Sequence, residues 1–98
     1  MQAINELTPN LQLAVDMGIS GLDIMHGELK SLLVEAEREL EEAQQIEEDN
    51  DYSDAMESME RKYWEGQCDA LAYLYGLTYQ LSFAIMDKEN KEQRSKND

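Results

Sequence analysis

Apolar side chains recur along two long stretches of the chain, at intervals that alternate between three and four residues. The first series consists of Leu11, Val15, Gly18, Leu22, Met25, Leu29, Leu32, Ala36 and Ala43. The second series consists of Met56, Met59, Tyr63, Gly66, Ala70, Tyr73 or Leu74, Leu77, Leu81 and Ala84 or Ile85. Because an α-helix has about 3.6 residues per turn, each series forms a row along one side of a helix. The pattern predicts two long helices, near residues 9–46 and 53–90.

Local signals indicate where these helices begin and end. Thr8 followed by Pro9 is a typical helix start, with Thr8 as the N-cap. The acid-rich segment 47–54 separates the two series, and either Asp51 or Ser53 can cap the second helix. Two long helices joined by so short a turn predict an all-α antiparallel hairpin. The predicted organisation is an N-terminal lead-in at 1–8, a helical hairpin domain at 9–90 and a polar tail at 91–98.

Three glycines interrupt the first series. Gly18, Gly21 and Gly27 each lower helix stability by about 1 kcal/mol relative to alanine. They leave three alternatives open: a kink, a break between Gly18 and Gly21, or close approach of another helix. A turn near residue 50 would place residues whose numbers sum to about 100 opposite each other. Gly27 would then lie opposite Tyr73.

The segment from Ala70 to Met86 carries no charge, in a chain whose formal net charge is −14. A helix that is apolar on nearly all sides has to be covered on nearly all sides. One chain of 98 residues is too small to supply that cover alone. We therefore expect a homodimer or larger homo-oligomer in which hairpins merge into a four-helix bundle. The run is shorter than the roughly 20 apolar residues that a membrane span needs.

The charge balance narrows the choice of partners. With 22 acidic residues against 8 Lys plus Arg, the chain is poorly suited to bind nucleic acid or an anionic membrane surface. The first residues lack the basic start and apolar run of a signal peptide, so we expect a soluble, cytoplasmic protein. Cys68 is the only cysteine and lies in an apolar helix, which indicates a structural thiol. His26 has no Cys or Ser partner within sequence reach and is also interpreted as structural.

Four carboxylates converge at one level of the predicted hairpin. Glu35 and Glu39 lie one turn apart on the first helix, and Glu65 and Asp69 lie one turn apart on the second. Mg²⁺ prefers carboxylate, water and phosphate oxygens, so these four residues are interpreted as a magnesium site. The alternative is a solvated acidic face with local ion pairs. Twelve acids and a single base between residues 35 and 60 favour that alternative.

These acidic motifs resemble those of the all-α nucleotide pyrophosphohydrolases of the MazG and dimeric dUTPase type. In that family a Glu-x-x-Glu motif on one helix and a Glu-x-x-Asp motif on the next bind magnesium. Here Glu39-Leu40-Glu41-Glu42 keeps the first spacing, with Glu35 as an alternative member. The segment Glu65-Gly66-Gln67-Cys68-Asp69 is one residue longer than the second motif. The resemblance extends over roughly residues 29–81.

The resemblance implies a Mg-dependent nucleoside triphosphate pyrophosphohydrolase. Magnesium held by the four carboxylates would bridge phosphate oxygens and activate water for attack on the triphosphate. Glu39 would be the catalytic carboxylate. The basic groups available to bind the substrate are Lys30, Arg61 and Lys62, and the predicted register places Glu39 level with Arg61 and Lys62.

A second hypothesis is a non-catalytic acidic helical interaction protein. Its acid-rich face between residues 35 and 60 would engage a basic partner surface or mimic the charge of DNA. A short segment that runs into the Tyr-rich helix is similar in style to small bacteriophage proteins. Its sequence is Arg61-Lys62-Tyr63-Trp64-Glu65-Gly66. A purely structural bundle is the third hypothesis. Carboxylates that converge across the bundle would favour the hydrolase, and carboxylates spread over its outer faces would favour the interaction protein.

Overall fold

A computed structural model describes residues 3–97 and shows three α-helices with no strand in that range. The helices are α1, Pro9–Asp16; α2, Gly21–Asp49; and α3, Ala55–Asn97. The two long helices α2 and α3 pack against each other as an antiparallel hairpin, whereas α1 contacts α2 alone. The predicted all-α hairpin is therefore confirmed. Within the described range, no helix is long and apolar enough to span a membrane.

The predicted first helix is divided in two by a break at residues 17–20. Gly18 has a φ of +80°, the left-handed conformation that glycine adopts without a Cβ clash. The Gly18 N–H donates to the Val15 carbonyl and the Ile19 N–H to the Ala14 carbonyl, which is the Schellman arrangement that ends a helix. Ser20 then caps α2 by accepting a hydrogen bond from the Asp23 N–H. Of the three alternatives, the structure selects a break.

The turn between α2 and α3 lies later in the chain than predicted, at residues 50–54 instead of 47–52, and it repeats the same helix ending without glycine. The Asp51 N–H donates to the Glu48 carbonyl and the Tyr52 N–H to the Glu47 carbonyl. Asp51 and Tyr52 therefore adopt positive φ values of 54° and 59°. The side chain of Asp54, not that of Asp51 or Ser53, accepts the hydrogen bond from the backbone N–H of the second α3 residue, 2.9 Å away.

This later turn shifts the register of the hairpin by about one helical turn. Its centre is residue 52 instead of residue 50, because α2 ends at Asp49 and α3 begins at Ala55. His26 accordingly faces Thr78, four residues beyond the predicted position. At its other end α3 continues past residue 90 and through the segment predicted as the polar tail, to Asn97. Residues 1–2 of the predicted lead-in and residue 98 of the tail lie outside the described residues.

The interior of the hairpin is small. Among the described residues the buried apolar side chains are Leu29, Ala36, Ala43 and Leu71. The radius of gyration is 19.1 Å, against about 13 Å expected for a compact chain of this length. The molecule is a rod of 68 × 29 × 17 Å, thin enough for nearly every side chain to touch solvent.

The face of α3 that packs on α2 is not the face that its apolar series predicts. The residues of α3 turned towards α2 are Trp64, Cys68, Leu71, Tyr75, Thr78 and Ser82, all buried or half-buried. The predicted series is exposed instead. We call it the exposed apolar stripe: Met56, Met59, Tyr63, Gly66, Ala70, Leu74, Leu77, Leu81 and Ile85. Its seven large side chains are 41–70% exposed.

The left-handed conformation of Asp51 generates a stability prediction. Replacing Asp51 with glycine should stabilise the hairpin by about 1 kcal/mol, because glycine adopts positive φ without the steric cost that other residues carry. Urea unfolding at one fixed protein concentration measures the change. Asp49→Gly is the control, since it removes the same charge from a helical position and should destabilise. Equal effects of the two substitutions would contradict this account of the turn.

Candidate functional site

The four carboxylates predicted to bind magnesium are divided between the two long helices. On α2, Glu35 is exposed and Glu39 is half-buried, with an ion pair of 3.4 Å to its neighbour Arg38. On α3, Glu65 is half-buried and Asp69 is exposed. Across residues 3–97 no group of three or more His, Cys, Asp or Glu side chains is placed to hold a metal ion. The structure does not gather the four carboxylates into one cluster.

The predicted substrate-binding cations are separated in the same way. Lys30 on α2 and Lys62 on α3 are exposed. Arg61 is bound on both sides by carboxylates: its Nε donates to Glu47 at 2.6 Å and its Nη1 to Glu65 at 2.8 Å. The later turn contributes to the difference from the prediction. A centre at residue 52 places Arg61 level with Ala43 instead of Glu39, and the long Arg61 side chain reaches Glu47, one helical turn nearer the end of the hairpin. The guanidinium that was expected to hold a triphosphate links the two helices.

Glu47 is the most buried charged residue in the described range, with 2% of its surface exposed. Its Oε2 accepts the hydrogen bond from Arg61, and its Oε1 accepts one from the Ser58 hydroxyl at 3.1 Å. The hydrogen bond from Arg61 lowers the pKa of the Glu47 carboxyl below its ordinary 4.5, against the opposing effect of burial. The carboxylate therefore stays charged and joins the end of α2 to the start of α3.

The sequence contained a signal for this site that the apolar pattern concealed. Glu47 lies in the acid-rich segment that was assigned to the turn, where a carboxylate is normally solvated. A buried carboxylate needs a cationic or hydrogen-bonding partner. Arg61 is one of few bases near the turn, and Ser58 and Glu65 lie one turn on either side of it along α3. The pattern that indicates the site is a base with a hydroxyl-bearing residue three positions before it and an acidic residue four positions after it.

His26 forms the second polar contact between the long helices. Its Nδ1 lies 2.7 Å from the Thr78 hydroxyl, which itself donates to the Tyr75 carbonyl. The imidazole also stacks on the Tyr75 ring, with centroids 4.5 Å apart. These contacts give His26 a structural role, because the Thr78 hydroxyl that it meets is buried between the two helices.

Cys68 lies among the half-buried residues beside the apolar core. Burial raises the pKa of its thiol, and the negative charges of Glu37 and Asp69 raise it further. The thiolate is the nucleophilic form of cysteine, so a raised pKa makes this thiol less reactive at neutral pH. Cys68 therefore packs as a small apolar side chain.

The surface grooves are shallow and mostly apolar. One groove of about 340 Å³ lies between the start of α2 and the later part of α3, and Asp23 and Glu89 are its charged residues. Another, of about 410 Å³, surrounds Gly76 and contains no charged residue. Neither groove brings together a nucleophile, a base and a cation, the combination that phosphate or acyl chemistry needs.

Comparison with protein-family models, with characterised proteins and with solved structures finds no match to this chain. The resemblance to the MazG-type hydrolases therefore rests on the acidic motifs alone. The functional assignment has to be argued from the exposed surfaces of the hairpin and from its charges.

The lowered pKa of Glu47 predicts how stability depends on pH. A carboxyl whose pKa is lower in the folded chain stabilises the fold above its unfolded pKa, and that stabilisation is lost as pH falls through the folded pKa. Glu47→Gln should therefore be less stable than the parent protein at pH 7, and the difference should shrink as pH falls from about 5 towards 2.5.

The measurement is the urea midpoint of each variant along that pH series. Glu48→Gln is the matched control, because Glu48 is the exposed neighbour of Glu47 and the substitution changes the net charge equally. Its difference from the parent should stay small throughout. A Glu47→Gln difference that does not change with pH would show that the Arg61 contact does not stabilise the fold through charge.

Proposed function

We propose that this protein is a non-catalytic helical interaction protein that associates with itself into a four-helix bundle. The observation that carries the proposal is the exposed apolar stripe on α3. Seven large apolar side chains along one face of a 43-residue helix are left 41–70% exposed by the single chain. Contiguous apolar surface of this extent, bordered by polar residues, is typical of protein–protein interfaces.

The position of the stripe suits a bundle. With about 100° of rotation per residue, it lies about 90° around α3 from the row that packs on α2. In a four-helix bundle each helix contacts two neighbours in roughly this relation. The stripe also keeps the alternating spacing of three and four residues that interlocking helices use. One side of α3 is therefore occupied by α2, and an adjacent side is suited to a further helix.

The acidic residues support the interaction part of the proposal. Of the twelve acids between residues 35 and 60, Glu47 is the one that the structure buries. The others surround the turn end of the rod, on the last half of α2 and the first turns of α3. Such a concentration of negative charge attracts a basic protein surface. We therefore expect the protein to bind a lysine-rich peptide, with an affinity that falls as the salt concentration rises.

A charge placed in the stripe should separate the copies. Leu77→Lys would bury an unpaired ammonium in the proposed interface, so the dissociation constant should rise by about 100-fold or more. Sedimentation velocity over a range of protein concentrations measures the change. Gln80→Lys is the matched control, because it adds the same charge to an exposed position of α3 outside the stripe.

Two results would contradict the proposal. One is a parent protein that sediments as a folded monomer at about 10 μM, a concentration at which specific homodimers remain associated. The other is release of pyrophosphate and a nucleoside monophosphate when the protein is incubated with a nucleoside triphosphate and magnesium. The first result would rule out the self-association, and the second would support the hydrolase hypothesis instead.

A further inference from the structure

The proposal above covers the exposed apolar stripe with a second copy of the chain. The charges and side-chain sizes along α3 also indicate the orientation and register of that copy. We infer that two α3 helices pair antiparallel along the stripe, around a two-fold axis at the level of residue 72 that passes between Ala70 and Leu74. The inference rests on the proposed self-association. It adds which residues meet and where the acidic ends of the two hairpins lie.

The surface area indicates how much of the chain the partner covers. The accessible surface is 7915 Å², whereas a compact protein of 11.3 kDa exposes about 5,700 Å². The excess is about 2,200 Å² per chain, or about 4,400 Å² for two chains, which lies in the range of about 2,000–5,000 Å² that permanent homodimers bury for both partners together. A contact running the length of the stripe fits this excess, and a small contact at one end does not.

Charge sets the orientation. A parallel pair would place the acid-rich turn ends of both copies side by side, each with its excess of unneutralised carboxylates. Like charges brought together in this way oppose association. An antiparallel pair places the two acidic ends at opposite ends of the dimer. The stripe itself has no charged residue between Met56 and Ile85, so its own contacts add no repulsion.

The sizes of the side chains set the register. With the axis at the level of residue 72, three pairs along the stripe have numbers that sum to 144: Met59 with Ile85, Tyr63 with Leu81, and Ala70 with Leu74. Gly66 meets Leu77 within one residue of the same register. In the central two pairs a small residue meets a leucine, which allows facing helices to interlock at close-packed density.

The space at Gly66 agrees with this register. A Cβ added at Gly66 would meet no atom within 4 Å, so its surface is open to a side chain of the partner. In this register nearly the whole stripe faces the stripe of the partner, whereas an axis at residue 78, the middle of the uncharged run, would leave Met56 and Met59 facing no residue of the partner's stripe.

Distances between identical labels on the two copies test orientation and register together. Nitroxide labels are attached to a single cysteine introduced at the exposed positions Gln80, Glu60 or Lys91, each in the full chain with Cys68→Ala. In the antiparallel pair the axial separation grows by about 3 Å for each residue between the label and the axis. The expected axial separations are about 24 Å at Gln80, about 36 Å at Glu60 and about 57 Å at Lys91. Pulsed electron paramagnetic resonance measures them.

The other possible distance patterns each contradict a different part of the account. Equal short distances at all three positions would show a parallel pair, which overturns this inference and leaves the self-association intact. A longer distance at Glu60 than at Lys91 would place the axis near residue 78 and overturn the register. Labelled chains that sediment as monomers, together with an unlabelled parent that is also monomeric, would contradict the proposed function itself.

Discussion

The structure depends on one constraint, which is that two helices cannot enclose the apolar surface of α3. A helix pair buries one row of side chains from each member, and in the described part of the chain those rows contribute only four buried apolar residues. A single domain of about 100 residues normally has a free energy of unfolding of only 5–15 kcal/mol. A core as small as this one therefore limits the stability of an isolated hairpin. The length of α3 makes the shortage worse, because the helix extends beyond the start of α2 at Gly21 and has no part of α2 to pack on there. The proposed association would complete the core.

Two polar contacts determine how α2 and α3 meet while the apolar core stays small. The pair formed by Glu47 and Arg61 fixes the turn end of the hairpin, and the contact of His26 with Thr78 fixes the register further along. Directional hydrogen bonds specify a register more sharply than apolar packing does, since a small shift breaks them. These contacts leave the large aliphatic residues of α3 free for an interface. The acidic residues remain outside it, around the turn.

The helical hairpin was predictable from the sequence, because spacing and capping residues act locally. The face of α3 that packs on α2 was not. Its row includes Cys68, Thr78 and Ser82, which an apolar pattern does not select, while the fully apolar stripe has the same spacing and faces outwards. The register was missed because α2 continues to Asp49, three residues past its predicted end, and is followed by Asp51 and Tyr52 in a conformation usually marked by glycine. The shifted register moves Arg61 away from Glu39 and within reach of Glu47, so the predicted grouping of carboxylates and bases depended on a register that the structure does not adopt.

The most direct test of the claim that one hairpin is an incomplete core is to measure urea unfolding of the parent protein at two concentrations. If folding is completed by a second copy, mass action ties stability to protein concentration. Raising the concentration 100-fold, from about 1 to about 100 μM, should then contribute about 2.7 kcal/mol per dimer and raise the midpoint by roughly 1 M urea. Identical midpoints at the two concentrations would contradict the account, because they would show that a single chain is stable with its stripe exposed.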